Sequence, residues 1–299
     1  MKRMMLVVLV VAGVVLSGFP SMSSVAEAQA VSEAFATETV VLYDGALGGT
    51  PDRQGFLYLT QPLRAEATQS FEDGVTTLDT TVVREEMVGY FSRSTLMPTL
   101  DRMRGYTVSF TVQVASEDHA GSDKDGDGVG DRAGFSVIVL GEDLKGIELG
   151  FWEDEIWAQA DGINPPGNEI FTHAEGVAFD TTSDLLPYEL TIRGDVYTLA
   201  MDSQVLLSGP LRDYTAFTGP IDPYETPNFL FLGDDTSSAQ ALIRLSYVAV
   251  TVTQDLDERL YLPFVLGSMP SGVESKKPYQ SPATLPHPLR QTGALLSEG

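Results

Sequence analysis

The chain has 299 residues, a formal net charge of −24 and no cysteine, and 43% of its residues are hydrophobic. This apolar fraction is sufficient for a folded core, which excludes a disordered chain. The acidity, with a pI near 4.2, excludes nucleic acid as a partner because phosphate binding needs clustered Lys and Arg. The absence of cysteine excludes disulfides, thiol catalysis and cysteine-held metal sites.

Residues 1–30 have the pattern of a secretory signal peptide. Lys2 and Arg3 precede an apolar run from Met4 to Leu16, and the segment ends in Ala28-Gln29-Ala30. A positive start, an apolar centre and a small-residue cleavage site are typical of such peptides. The run is shorter than the roughly 20 residues that span a membrane. We therefore expect a secreted, extracellular or cell-surface protein with no membrane span after cleavage; an uncleaved anchor is the alternative.

Residues 31–255 predict one all-β domain, an antiparallel β-sandwich of jelly-roll type. Short alternating or β-branched runs, such as Tyr106 to Val112 and Phe135 to Leu140, are separated by turn signals. Gly194-Asp195 lies between two alternating runs and predicts a hairpin. No long segment has a 3.6-residue apolar period, so long helices are not expected.

Two segments follow the predicted domain. Residues 256–266 are largely apolar and predict either a last edge strand, where proline is tolerated, or a short docking segment. Residues 267–299 contain five prolines and no apolar periodicity. This composition predicts a disordered tail.

An acidic glycine loop at 123–131 is the strongest chemical signal in the sequence. Its aspartates occupy positions 1, 3, 5 and 9 of a calcium loop, with Gly128 at the sharp turn. Alternating carboxylates on a tight loop bring several oxygens to one point, as Ca²⁺ prefers. Gly134 stands where an EF-hand has glutamate, and the loop resembles those of thrombospondin type 3 repeats. We predict a structural Ca²⁺ whose ligands are Asp123, Asp125, Asp127 and Asp131; a solvated acidic loop is the alternative.

Alternation along three predicted strands gives a candidate ligand-binding groove. Side chains two residues apart on a strand share a face, and neighbouring strands would combine their faces into one polar and aromatic surface. Aromatic rings can stack on sugars while carboxylates and amides bind hydroxyls. The alternative is that both tryptophans pack in the core. The predicted groove residues are Glu148, Trp152, Trp157, Gln159, His173 and Glu175.

Parts of the domain resemble known families. The runs Arg132 to Leu140 and Lys145 to Trp152 look like a strand pair of concanavalin A-like lectin/glucanase sandwiches, and Tyr188 to Gly209 is similar to hairpins of laminin-G and pentraxin-like domains. The chain resembles the bacterial "choice-of-anchor Y" domain more closely. That resemblance implies an exported surface domain, held by different anchors in different members, with no known activity. It is carried by Tyr43 to Gly48, Ile147 to Trp152, Phe171 to Gly176 and Asn228 to Thr236.

The strand Glu148 to Trp152 corresponds in position to the catalytic strand of enzymes with this fold. Laminarinase-type enzymes of this sandwich class carry three carboxylates on such a strand, two of them close enough to act as nucleophile and acid. Here only Glu148 remains on that face. We therefore predict a non-catalytic surface or matrix domain that is carbohydrate-binding or adhesive, with an extracellular glycan or cell-surface component as partner. A structural component without a small ligand and a glycoside hydrolase or lyase are the alternatives.

Overall fold

A computed structural model describes residues 35–119, 122–162, 170–219 and 221–255. The predicted signal peptide (1–30), the apolar segment (256–266) and the tail (267–299) lie outside the described residues. Contacts divide the chain into two units, Met1–Leu260 and Tyr261–Gly299. The second unit lies wholly outside the described residues, so the account below concerns the first.

The described residues form fifteen strands and two short 3-10 helices, Gly45–Leu47 and Pro51–Arg53. The strands, in chain order, are β1 (Phe35–Asp44), β2 (Phe56–Gln61), β3 (Thr68–Glu72), β4 (Val75–Asp79), β5 (Met87–Ser92), β6 (Tyr106–Asp118), β7 (Ser136–Leu140), β8 (Gly146–Phe151), β9 (Glu155–Asp161), β10 (Ile170–Ala178), β11 (Leu186–Arg193), β12 (Val196–Met201), β13 (Gln204–Pro210), β14 (Phe229–Asp234) and β15 (Gln240–Asp255). Within these ranges no helix is long and apolar enough to cross a membrane.

The strands form two antiparallel sheets. The eight-stranded sheet has the order β13-β12-β11-β6-β15-β4-β3, and β1 pairs with the second half of β15. The seven-stranded sheet has the order β10-β9-β8-β7-β14-β5-β2. The predicted all-β antiparallel sandwich is confirmed.

The main core lies between the two sheets. Strand β6 alternates buried and half-buried residues along most of its length, as expected when one face packs on a core and the other meets water. Phe110 of β6 meets Phe151 of β8 edge to face, with ring centroids 6.0 Å apart. Tyr188 of β11 packs against the same Phe151 at 5.5 Å. These aromatic contacts join the sheets directly.

The hairpin predicted at Gly194-Asp195 is confirmed. Strands β11 and β12 pair in register up to Arg193 and Val196, which leaves a two-residue loop. Gly194 has φ of +61°, a conformation that glycine adopts without steric cost. Such two-residue loops match the right-handed twist of the flanking strands.

The outer faces of the two sheets differ in chemistry. On the eight-stranded sheet, one row of partnered residues crosses six strands and consists of hydroxyl side chains. These are Thr39, Thr251, Thr107, Thr191, Thr198 and Ser208. On the seven-stranded sheet, β7, β8 and β14 are buried on both faces. The inner face of such a strand packs on the other sheet, so its outer face must be covered by a segment that lies outside both sheets.

The segment 211–228, which connects β13 to β14, supplies part of that cover. It is pinned to the sheet by a bridge between Gly146 and Arg212. The hydroxyl of Tyr214 donates a 2.9 Å hydrogen bond to the carbonyl of Gln159 and accepts a 3.1 Å one from the amide of Glu148. This segment therefore holds β8 and β9 from the outer side.

Candidate functional site

The six predicted groove residues lie on neighbouring strands, but they do not line an open groove. Glu148, Trp157 and Gln159 have no exposed surface, and Trp152 is 5% exposed. The expectation of an open groove is therefore wrong. The physical reason is the cover. Tyr214 and Tyr224 of the segment 211–228 close over Glu148 and Gln159, and the rings of His119 and His173 stack on the two tryptophans.

The tryptophans pack in a column with two histidines. His119 stacks on Trp152 with ring centroids 3.9 Å apart, and His173 stacks on Trp157 at 4.5 Å. Gly150 makes room for this column, since a Cβ there would lie 2.7 Å from Cε2 of Trp157. The alternative interpretation, in which the tryptophans are packing residues, is the one that the structure supports.

His173 and Glu175 have separate partners on β10. The imidazole Nε2 of His173 lies 3.2 Å from the carboxylate of Glu155. Glu175 forms a 2.5 Å ion pair with Arg212 and accepts a 2.9 Å hydrogen bond from Tyr197. Both side chains thus serve the packing of β10 against its neighbours.

Glu148 belongs to a buried ionic cluster. Arg132 lies 3.5 Å from Glu148 and 2.8 Å from Asp235, and Tyr224 donates a hydrogen bond to Glu148. Burial raises the pKa of Glu148 to about 8; the charge of Asp235 adds to this effect and Arg132 opposes it. Buried charges of this kind persist only when paired. The cluster joins β8, the loop before β7 and the loop after β14.

A cleft of about 600 Å³ opens on the outer face of the seven-stranded sheet, beside this cluster. Its floor comes from β5, β7 and β14, where Phe91, Phe231 and Ile138 form one partnered row. Aromatic side chains of the segment 211–228 form a wall. Polar residues at the end of β14 and just after it, Asp234 to Ser238, form the rest. A mostly apolar concave site with a few polar groups is the usual form of a ligand pocket.

Phe171 occupies a strained position in the wall of this cleft. Its φ of +66° is rare for a bulky residue. Its ring meets Tyr224 at 5.3 Å and Phe217 at 5.2 Å, and the guanidinium of Arg132 lies 4.9 Å from the ring centroid. Strained conformations of this kind persist where the surroundings over-determine them, and they cluster at functional sites.

The predicted calcium loop brings three of its four aspartates together. Carboxylate oxygens of Asp123, Asp125 and Asp131 lie within 4.8 Å of one another, and Asp127 is outside this group. Gly126 and Gly128 have φ of +78° and +90°, which allow the sharp turn. Hard oxygen ligands on a tight loop fit Ca²⁺, so the residues present fit this ion.

Hydrogen bonds tie the same loop to the rest of the molecule. Asp131 is 1% exposed and accepts hydrogen bonds from the amides of Lys124 and, at 2.8 Å, His173. The pKa of Asp125 is raised: a hydrogen bond from the Asp127 amide lowers it, but desolvation and three neighbouring aspartates outweigh that bond. The mutual repulsion of the carboxylates is what a bound cation would relieve.

The sequence reasoning missed the residues of the cleft. Arg132, Tyr224 and Asp235 lie far apart in sequence, and only the fold unites them. A signal was present in β14, where Phe229 and Phe231 alternate with Leu230 and Leu232. Apolar residues on both faces of a strand indicate burial on both sides.

No protein-family model matches the chain, and a search of curated proteins gives no match. The resemblance to the choice-of-anchor Y domain therefore stays a prediction. The chain is similar in fold to the carbohydrate esterase vb_24B_21 of the Shiga toxin-encoding bacteriophage phi24B, at 12% identity and a TM-score of 0.47, covering 73% of this chain and 99% of that one.

Two further solved structures are similar in fold. The first is a protein of unknown function with a galectin-like fold from Bacillus subtilis (10% identity, TM-score 0.43, 74% of this chain and 100% of that one). The second is the carbohydrate recognition domain of Emp46p in its potassium-bound form (12% identity, TM-score 0.40, 71% and 95%). All these TM-scores are below 0.5, so the likenesses carry no argument about ligand or activity.

Proposed function

We propose that the chain is an exported, non-catalytic carbohydrate-binding domain whose binding site is the cleft on the outer face of the seven-stranded sheet. The observation that carries the proposal is the lining of the cleft. The half-buried rings of Phe91 and Phe217 offer apolar faces to sugar C–H groups, and the polar stretch Asp235 to Ser238 offers acceptors and donors to hydroxyls. Export rests on the signal pattern of residues 1–30, and kinship with choice-of-anchor domains is part of the same proposal.

The ionic cluster supports a binding role over a catalytic one. A retaining glycosidase needs two carboxylates facing the scissile bond. Glu148 is fully buried and engaged by Arg132 and Tyr224, so it does not face the cleft. Asp235 is held by Arg132 at 2.8 Å. We therefore assign these carboxylates to holding the floor of the site.

A glycan array followed by calorimetry tests the proposal. Phe217 is half-buried on the cleft wall, so Phe217→Ala removes a stacking face without emptying the sandwich core. We expect affinity for the best glycan to fall about tenfold, equal to about 1.4 kcal/mol. Thr191→Ala, on the outer face of the other sheet, is the matched control and should bind as wild type. Absence of any array signal would favour the structural-component alternative.

We also propose that the loop 123–131 holds a structural Ca²⁺ through Asp123, Asp125 and Asp131. The convergence of their oxygens supports this assignment. The ion would offset the repulsion of the carboxylates and stabilise a fold that has no disulfide. Calcium should therefore raise the melting temperature and chelator should lower it at neutral pH. Identical melting curves under both conditions would refute the assignment.

A further inference from the structure

The floor of the cleft is apolar at one end and polar at the other. Strand β14 runs through it from Phe229 to Asp234, a distance of roughly 17 Å at about 3.3 Å per residue. Phe229 and Phe231 supply aromatic rings along the first half, and the polar residues Asp235 to Ser238 follow at the far end. Apolar and polar surfaces therefore lie at opposite ends of one continuous site.

The apolar part stays accessible although it is an outer sheet face. Phe91 and Leu59 are half-buried, and Ile221 on the covering segment is 36% exposed. The outer face of the other sheet carries a row of hydroxyls at the comparable place, so an apolar outer face is not a general property of this sandwich. Accessible apolar surface rimmed by polar residues marks a binding site.

The polar end is built from the residues that follow β14. Oδ2 of Asp235 accepts the 2.8 Å hydrogen bond from Arg132, and the same carboxyl group shares a side-chain hydrogen bond with Glu148. Ser237 is exposed and Ser238 is half-buried, and the hydroxyl of Ser238 lies 2.9 Å from that of Thr236. These hydroxyls are the donors and acceptors that a ligand hydroxyl can meet.

Charge selects among possible head groups. The cleft is lined by the carboxylates of Asp222 and Asp235 and by the cations Lys124 and Arg132; Asp234 also lines it, but it is 1% exposed and burial raises its pKa well above the ordinary value. Arg132 lies 2.8 Å from Asp235, and the amine of Lys124 donates a 3.3 Å hydrogen bond to the carbonyl of Ile170. An anionic head such as a phosphate or fatty-acid carboxylate would have to compete with these partners for the two cations. A neutral, hydroxyl-rich head fits this end best.

We propose that the ligand of the cleft is an amphipathic glycoside: a neutral sugar that carries an alkyl, acyl or aryl group. The sugar hydroxyls meet the hydroxyls of Ser237 and Ser238, and the apolar group lies over Phe229 and Phe231. A cleft of about 600 Å³ lies within the range of roughly 300–1,000 Å³ that small-molecule sites occupy. That size corresponds to one sugar ring with a medium-length chain. This inference rests on the proposed function and adds the class of ligand.

Calorimetry of the full chain with alkyl glycosides tests the inference. The probes are methyl, butyl, hexyl and octyl glycosides of glucose, galactose, mannose and N-acetylglucosamine, all below their micellar concentrations. Full burial of a methylene contributes about 0.8 kcal/mol, so affinity for the preferred sugar should rise up to about fourfold per methylene. Ile221→Ser should flatten this rise, and Thr191→Ala should leave it unchanged.

The outcomes separate the inference from the proposed function. Equal affinity for methyl and octyl glycosides overturns the inference and leaves glycan binding standing. Octanol binding as tightly as the octyl glycosides overturns both, since the sugar then contributes nothing. If Phe264→Asp raises glycoside affinity more than tenfold, the chain's own apolar segment 256–266 occupies the cleft, and the assignment of an external amphipathic ligand is overturned.

Discussion

At the scale of single residues, burial decides what each predicted site residue does. Strand alternation predicts that Glu148 and Trp157 share one face, and both lie on the outer face of the seven-stranded sheet. Strand alternation predicts which face of the sheet a side chain lies on, but it does not predict which other segment covers that face. Tyr214, 66 residues beyond Glu148, supplies that cover, and a contact of such long range has no local sequence signal.

Gly150→Ala tests the packing of the tryptophan column. A Cβ at this position would lie 2.7 Å from Trp157, too close for any real contact. Overpacking of this kind costs about 1–3 kcal/mol, and urea denaturation should show that loss in the free energy of unfolding. The double variant Gly150→Ala/Trp157→Leu should lose less than the two single variants together. Full additivity would mean that the two residues do not touch.

Glu148→Gln tests the buried ionic cluster through pH. Because burial raises the pKa of Glu148 from 4.5 to about 8, the folded state holds a proton that the unfolded state releases above about pH 4.5. Stability from this group is therefore fully present below about pH 4.5 and is lost as pH rises to about 8.

Chemical denaturation at pH 5 and pH 8.5 measures the effect. The wild type should lose at least about 1 kcal/mol more than Glu148→Gln over this interval. Glu189→Gln, at an exposed position on the eight-stranded sheet, should keep the wild-type pH dependence. A Glu148→Gln profile parallel to the wild type would show that Glu148 does not titrate there.

At the scale of elements, local sequence patterns predict turns and loops better than they predict the residues of the binding site. The Gly194-Asp195 hairpin and the acidic loop are specified by residues adjacent in sequence, and both have the expected backbone turns. The loop differs in one ligand, since Asp127 stands outside the cluster of Asp123, Asp125 and Asp131. The spacing of the aspartates shows how many carboxylates the loop carries, but it does not show which of them come together.

Asp125→Asn tests the composition of the calcium cluster. Asp125 is exposed and accepts only the amide of Asp127 within the described ranges, so its amide variant should fold normally. We expect the rise in melting temperature on adding calcium to fall by more than half. Asp127→Asn, outside the cluster, should retain most of the rise. Trp152 gives a second readout, because Gly130 of the loop packs near its ring; equal effects of the two variants would contradict the three-aspartate assignment.

At the scale of the whole molecule, the outer faces of the two sheets carry different side chains and therefore have different roles. Hydroxyl side chains on the eight-stranded sheet suit contact with water, whereas the phenylalanines of β5 and β14 require a cover. The segment 211–228 covers part of them and leaves the cleft beside Arg132 and Asp235.

Hydrogen–deuterium exchange with and without the best-binding glycan tests whether the cleft is the binding site. We expect ligand-dependent protection at the cleft, in the segment 211–228 and in residues 229–238. The threonine row of the eight-stranded sheet should exchange at the same rate in both states. Protection confined to that row, or to any surface away from the cleft, would contradict the assignment of the binding site.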